Sequence, residues 1–353
     1  MTDEATPAPP ATPASDETRL LNEIGRMASL MAPWAIRVAA TLRLPDLVAR
    51  GVTGADELAA RTGSDADALN RLLLYLSALD VFRRTAPRSY ELTELGELLR
   101  EDHPIGLRAF LDQNGFGARL DQVTAHLATA VRTGRSVYRD VFGRSFWKDQ
   151  DAYQDETLSF NKVMASHTRW FGADLRRSYD WSSFGHVVDV GGGTGAGTFL
   201  AELLREHPTM RGTLVEDPEE TALGAGDALA EVGDRCVTVT QSLFDPLPEG
   251  ADAYVLTNIL RNWDDENATR ILRRCAEAAG RDSRVLVIER ILTDDDYQLH
   301  VRDANLRILL LLGGKERELD EFRAVGRAAG LELTATRPTD YSHMYLVEYR
   351  LPR

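Results

Sequence analysis

The run DVGGGTGAG that starts at Asp189 carries the first chemistry in this chain. It follows the apolar stretch HVV and leads into GTFLAELLRE, so a strand, a glycine turn and a helix succeed one another. Gly191, Gly193 and Gly195 permit a tight turn and close backbone approach by a ligand at the helix N-terminus. Glu216 ends the next β-rich run, GTLVE, and can accept hydrogen bonds from both hydroxyls of a ribose. A glycine turn with an acid at the neighbouring strand tip predicts a nucleoside cofactor, and a nicotinamide dinucleotide is open to this pattern. Two features favour a cationic cofactor. Asp189 stands two residues before the first glycine, and no Lys or Arg lies between residues 186 and 204.

The second chemistry belongs to LRNWDDE, residues 260–266. A strand, an abrupt polar tip and a new helix form an edge where a proton acceptor is expected, and the chain places Arg261 there. A guanidinium, with a pKa above about 12, is no base. It can hold a carboxylate through two hydrogen bonds or lower the pKa of a nearby phenol.

The elements that must position these residues form an alternating series. HVVDV, GTLVE, CVTVTQS, DAYVLTNI and RVLVIER are β-rich runs separated by helical stretches, which predicts a parallel sheet with crossover helices. The segment LELTATRPTDYSHMYLVEYRLP adds two strands with no helix between them, an antiparallel hairpin that ends the sheet. Residues 101–178 read as helical and rich in aromatics, some of which can wall a flat apolar ligand. Ahead of them, apolar residues at helical spacing run from about Leu20 to Val48, broken at Pro33 and Pro45. TGADELAARTGSDADALNRLLLYLSALDVFRR then reads as two helices, with Thr53 and Ser64 as N-caps and Gly63 closing the first. RSYELTELGELL adds a strand and a helix, completing a winged-helix pattern. Its would-be recognition helix opens with Asp65 and Asp67 and carries Arg71 as its only basic residue. That charge argues for packing or dimerisation over DNA binding.

Composition narrows the partners further. The chain has 353 residues and a formal net charge of −14, which disfavours nucleic acid and anionic membranes. Residues 1–18 are rich in Pro and Ala, with neither a basic nor an apolar segment, and are expected to be a disordered tail. The longest apolar run thereafter, ILLLL at 308–312, is too short to cross a bilayer. Cys236 and Cys275 form no zinc spacing, no metal site is expected, and the reducing cytoplasm fits best.

In order and spacing, VVDVGGGTGAG, GTLVEDP, LFDPLPEGADAYVLTNIL, NWDDENATRIL, RVLVIERIL and GGKERELDEF resemble the S-adenosylmethionine-dependent small-molecule O-methyltransferases. The similarity runs from about residue 20 to the C-terminus. WAIRVAATLRLPDL, VRTGRSVY and FGRSFWKD look closest to the bacterial anthracycline-tailoring branch, which holds 4-O-methyltransferases and a 10-hydroxylase that keeps the cofactor without methylating. The resemblance implies a Rossmann-like α/β cofactor domain over 179–353 and a helical, winged-helix-like dimerisation domain over 19–100. A helical substrate-lining region over 101–178 lies between them in sequence. It also implies a homodimer and a small aromatic substrate. Asp189, Gly191 and Gly193 would hold the methionine end of S-adenosylmethionine, and Glu216 its ribose. Ser242, Leu243 and Phe244 would lie near the adenine, Thr257 would be a strand-tip contact, and Met164 would pack beside the sulfonium. Phe142, Trp147, Asn305 and Tyr341 would line the acceptor.

At the chemical edge this chain departs from the pattern. Plant-type members carry a catalytic His where Arg261 stands, although their two supporting carboxylates match as Glu289 and Glu316. Asn262 matches the anthracycline branch, and His167 is the histidine placed to substitute as a base. Ser242 and Asn305 replace family aspartates, and Phe142 a branch tyrosine. The expected activity is O-methylation of an aromatic, polyketide-type metabolite, driven by proximity and orientation. The alternative is a non-methylating descendant, a hydroxylase or decarboxylase, that retains the cofactor.

Overall fold

Two units make up the chain, Met1–Arg100 and Glu101–Arg353, in a computed structural model that describes residues 16–115, 117–152, 172, 175–192, 197–216, 229–294, 299–339 and 344–353. Residues 1–15 of the expected 1–18 tail lie outside the described residues, and the expectation is corrected for residues 16–18, which already belong to the helix Asp16–Ala28.

In the first unit, helices Met31–Thr41, Leu44–Ala49, Ala55–Thr62 and Ala66–Ala78 precede an antiparallel hairpin, β1 (Phe82–Ala86) and β2 (Ser89–Leu92). Leu58, Leu69, Leu73, Leu76, Phe82 and Tyr90 are buried in it. Two local expectations are corrected. The caps are Gly54 and Asp65 rather than Thr53 and Ser64: Asp65 accepts from the backbone of Asp67 and Ala68, while the Ser64 hydroxyl is engaged with Thr62. The second helix does not reach Arg84 either. Asp80 turns left-handed at φ 59°, and VFRR leaves the helix to enter β1. The first helix, Asp16–Ala28, buries none of its residues, and Leu20, Leu21, Ile24 and Met27 stand exposed along it.

The second unit is built on an eight-stranded sheet. Its strands are β3 (His186–Val190), β4 (Arg211–Glu216), β5 (Cys236–Thr240), β6 (Ala253–Thr257), β7 (Arg284–Leu292), β8 (Arg317–Glu318), β9 (Glu332–Pro338) and β10 (Met344–Arg350). The order is β5-β4-β3-β6-β7-β10-β9, with β8 pairing to β7. Strands β3 to β7 run parallel, while β10 is antiparallel to both β7 and β9. The sequence-derived hairpin is therefore present, with its second strand inside and its first at the edge. Alternate residues of the central strands enter two cores, because successive side chains point to opposite faces. Val188, Tyr254, Leu256, Val285 and Val287 pack with helices Asp265–Ala278 and Leu319–Ala328. Val187, Val255, Leu286 and Ile288 pack with helix Thr198–Glu206. Burial on both faces is what makes these strands read as continuous apolar runs. The chain reverses direction across the sheet between β3 and β6, the switch point where such folds bind ligands.

Candidate functional site

The glycine turn is held between two strand tips. Gly191 adopts φ +71°, and a Cβ there would stand 2.8 Å from Ile259 Cδ1 and 3.2 Å from Leu243 Cδ1. A Cβ on Gly192 would stand 2.4 Å from Leu214 Cδ1 and 3.1 Å from Glu216 Oε1. Backbone thus threads between the end of β4 and the loops after β5 and β6, and any side chain would close the passage. Asp189 and Glu216 end this cradle, both buried. Asp189 Oδ1 has no hydrogen-bond partner, and burial pushes its carboxyl up to about 7. Thr257 Oγ1 and Asn258 Oδ1, at the tip of β6, are likewise buried and without partners. An unsatisfied buried polar atom costs about 1–3 kcal/mol, so these acceptors gain from any donor that reaches them. Asn258 was not anticipated from sequence. Its φ of 57° is one that Asn tolerates better than most residues, and its backbone N–H donates to Ile288 O at 3.0 Å.

Phe244 lies edge-on to Trp263, ring centroids 5.0 Å apart, with the Arg270 guanidinium 4.4 Å from its ring centre. Ser242 accepts a 3.4 Å hydrogen bond from the Phe244 backbone, which fixes that turn locally.

Directly after Ile259, the turn Leu260–Asn262 carries the chemical edge. Arg261 donates its backbone N–H to Glu289 Oε1 at 3.1 Å, while its guanidinium pairs with Glu316 Oε1 at 2.6 Å. The Asn262 amide donates to Asn258 O at 3.2 Å. Both glutamates are buried, and burial raises the Glu289 carboxyl to about 7. Burial lowers the Arg261 pKa from its ordinary value, opposed by the charge of Glu316 and reinforced by that of Arg290. Asn305 spends its amide oxygen on the Glu316 backbone N–H, 2.8 Å away.

Two further residues shape this turn. Arg317 is fully buried and donates to Leu260 O at 2.8 Å, Trp263 O at 2.9 Å and Asp265 Oδ1 at 3.0 Å. Gly314 lies so close that a Cβ would stand 2.1 Å from Arg261 O. Gly314→Ala is therefore expected to cost about 1–3 kcal/mol, read as a lower urea midpoint; an unchanged midpoint would show that the turn yields. The run GGKER contained both residues, but their partners are carbonyls some fifty residues away, which no local pattern reveals.

Phe142 and Trp147 stand in an aromatic cluster with Tyr138 and Phe146, packed with Leu310 of helix Leu299–Leu312, which also carries Asn305. Met164, His167, Gly193 and Tyr341 lie outside the described residues. Among the described residues, no group of His, Cys, Asp and Glu could hold a metal ion, and no helix is long and apolar enough to cross a membrane.

A glycine turn at the switch point of a doubly covered parallel sheet, ending on a buried acid and facing a second, defines a nucleoside-cofactor enzyme of Rossmann-like class. Residues 124–332 match the O-methyltransferase domain, and residues 26–102 the O-methyltransferase dimerisation domain. The chain belongs to the O-methyltransferase family, whose cofactor is S-adenosylmethionine. It is 42% identical to the 2,7-dihydroxy-5-methyl-1-naphthoate 7-O-methyltransferase of Streptomyces carzinostaticus, over 89% of this chain and 94% of that one. It is also 36% identical to aclacinomycin 10-hydroxylase RdmB of Streptomyces purpurascens, over 94% and 89%. The crystal structure of the O-methyltransferase NcsB1 from neocarzinostatin biosynthesis, in complex with S-adenosylmethionine and 2-hydroxy-5-methyl naphthoic acid, matches with a TM-score of 0.83 and 40% identity. That match covers 93% of this chain and 98% of NcsB1.

Proposed function

We propose that this chain methylates a hydroxyl of an aromatic, polyketide-type metabolite of the hydroxynaphthoate kind, from S-adenosylmethionine. The observation that carries the reading is the cradle itself: buried Asp189 without a donor beside glycines 191 and 192, where no side chain fits. Such a carboxylate suits the ammonium and sulfonium charges of this cofactor better than a pyrophosphate. Asp189 and Gly191 would hold its methionine end, Glu216 its ribose, Leu243 and Phe244 its adenine side, and Thr257 the strand-tip contact. When bound, the cofactor supplies a methyl group on a positively charged sulfur. The chain's own work is to orient the acceptor oxygen and favour its anionic form. Arg261 takes up no proton; its charge, with that of Arg290, lowers the pKa of a phenol placed beside it, so the proton leaves to solvent. The buried Glu289 and Glu316 hold Arg261 in place, Asn262 ties the turn back to Asn258, and proximity supplies most of the acceleration.

The test is to incubate purified protein, S-adenosylmethionine and a hydroxynaphthoate or anthracycline-type phenol, and to measure S-adenosylhomocysteine and product mass together. One methyl per S-adenosylhomocysteine supports the reading. A product altered without that by-product would sink it in favour of a hydroxylase or decarboxylase, which the absence of a histidine base at Arg261 and the similarity to RdmB favour.

The first unit serves as a winged-helix-like dimerisation module in this reading, and the apolar face of Asp16–Ala28, with Leu21 63% exposed, is covered by a second copy. Ile24→Glu with Met27→Glu is then expected to halve the molar mass seen by light scattering; an unchanged mass would reject that face. The free thiols of Cys236 and Cys275, both held well above the usual range by burial, suit a reducing cytoplasm.

A further inference from the structure

Arg290, near the end of β7, is a residue that no motif singled out. Its side chain is about one-fifth exposed, and among the described residues its guanidinium has a single ionic contact, Nη1 to Glu316 Oε1 at 3.9 Å. That same oxygen is already taken by Arg261 at 2.6 Å. Arg290 Nε is buried with no hydrogen-bond partner. Two guanidiniums therefore compete for one carboxylate oxygen, and the weaker contact leaves Arg290 with donors unspent. Glu289 does not restore the balance. One of its oxygens accepts the Arg261 backbone N–H, and with its carboxyl raised to about 7 it carries only part of a negative charge near neutrality. The geometry leaves a partly desolvated guanidinium with an unspent donor in this corner. A guanidinium in that condition gains from a further anion able to use the free donor. Distance along the fold places the corner beside the cofactor cradle: Ile259 touches Gly191, and Arg261 follows two residues later.

We propose that Arg290, with Arg261, forms an anion subsite that selects acceptors bearing a carboxylate next to the reacting hydroxyl. The proposal rests on the methyltransferase reading above, and makes Arg290 the specificity-determining residue of that site. Arg261 is committed to Glu316 and sets the field; Arg290 has the unspent N–H groups and makes the contact. An aryl carboxylate presents two oxygens to it, whereas an ester or a bare phenol presents no charge.

Binding tests this without requiring turnover. The full-length protein is saturated with S-adenosylhomocysteine and titrated calorimetrically with 3-hydroxy-2-naphthoate, its methyl ester and 2-naphthol. The wild-type chain is expected to bind the carboxylate about tenfold or more tightly than the ester or the naphthol, as a charge-assisted hydrogen bond allows. Arg290→Gln should erase that preference by weakening the carboxylate alone, and Arg290→Lys should restore part of it. Equal wild-type affinities for the three probes overturn the proposal. So does an Arg290→Gln effect of the same size on all three, which would mark a merely structural residue. Weaker S-adenosylhomocysteine binding in Arg290→Gln would assign the guanidinium to the cofactor's own carboxylate, and also overturns it. A failure of the methyl-transfer reading shows separately, as turnover without S-adenosylhomocysteine, while the ratios among probes still decide the subsite.

Discussion

Asp189→Asn is expected to bind S-adenosylmethionine about 10–100-fold more weakly than the wild-type chain, the worth of one charge-assisted contact, and yet to be the more stable protein without cofactor. Both effects come from one carboxyl. In the folded chain its pKa is raised by burial to about 7, against an ordinary value of 3.8. The folded state keeps the proton longer than the unfolded state does. The resulting stabilisation is present in full below the ordinary value, and it is lost progressively as pH rises through about 7. Above that, the buried carboxylate is a burden until a cation meets it. Asparagine keeps the shape and removes the charge, so its melting temperature at pH 8 should exceed the wild type's by several degrees, about 2–4 °C for each kcal/mol relieved. Glu289, raised to a similar value, is common to both proteins and drops out of the difference. Cofactor affinity of the wild type should climb with pH up to about 7 and level off beyond, while the variant's stays flat. Calorimetric titration at three pH values and melting curves without cofactor check both halves. A variant that binds as tightly as the wild type would remove Asp189 from the cofactor's methionine end.

How legible this was in the sequence depended on whether a residue's partners are local. The five parallel strands and the closing hairpin could be read from runs of β-rich residues, because double-sided burial leaves an apolar signature in the strand itself. The glycine loop and the buried acid Glu216 at the neighbouring strand end were equally plain, since each belongs to a strand end and a turn. Strand β8, two residues long, has no such signature and exists only through its pairing with β7. Strand β1 was hidden for another reason: VFRR continues a helical pattern, and the break depends on Asp80 turning left-handed. At the chemical edge, Arg261 and its two glutamates were legible as residue types, but the choice between Glu289 and Glu316 was not. The guanidinium takes Glu316, and Glu289 takes the backbone. Arg290 and Arg317 flank those glutamates directly in sequence and still gave no sign. One matters for what it lacks, the other for carbonyls it reaches only after folding.

The ion pair at that edge should dominate stability measurements. Glu316 is fully buried, and the Arg261 guanidinium lies 2.6 Å from it with 14% of its side chain exposed. Arg261→Met would leave the carboxylate with Arg290 at 3.9 Å as its remaining ionic contact, at a cost of about 3–5 kcal/mol, as for other buried pairs broken on one side. Glu316→Gln should cost less, since Arg261 can lean toward solvent and Arg290 loses only a weak contact. Arg261→Met with Glu316→Gln removes both charges, and it is expected to recover most of the loss, leaving a coupling of about 2 kcal/mol or more between the sites. Urea midpoints for the four proteins supply this number; simple addition of the two single losses would mean that the pair contributes nothing as a pair. The same double variant separates structure from chemistry. If it folds well and binds S-adenosylhomocysteine normally but turns over acceptor far more slowly, the charge of Arg261 acts on the acceptor oxygen. Full turnover in that background would reduce Arg261 to a structural partner of Glu316, and leave Arg290 as the cation that the acceptor meets.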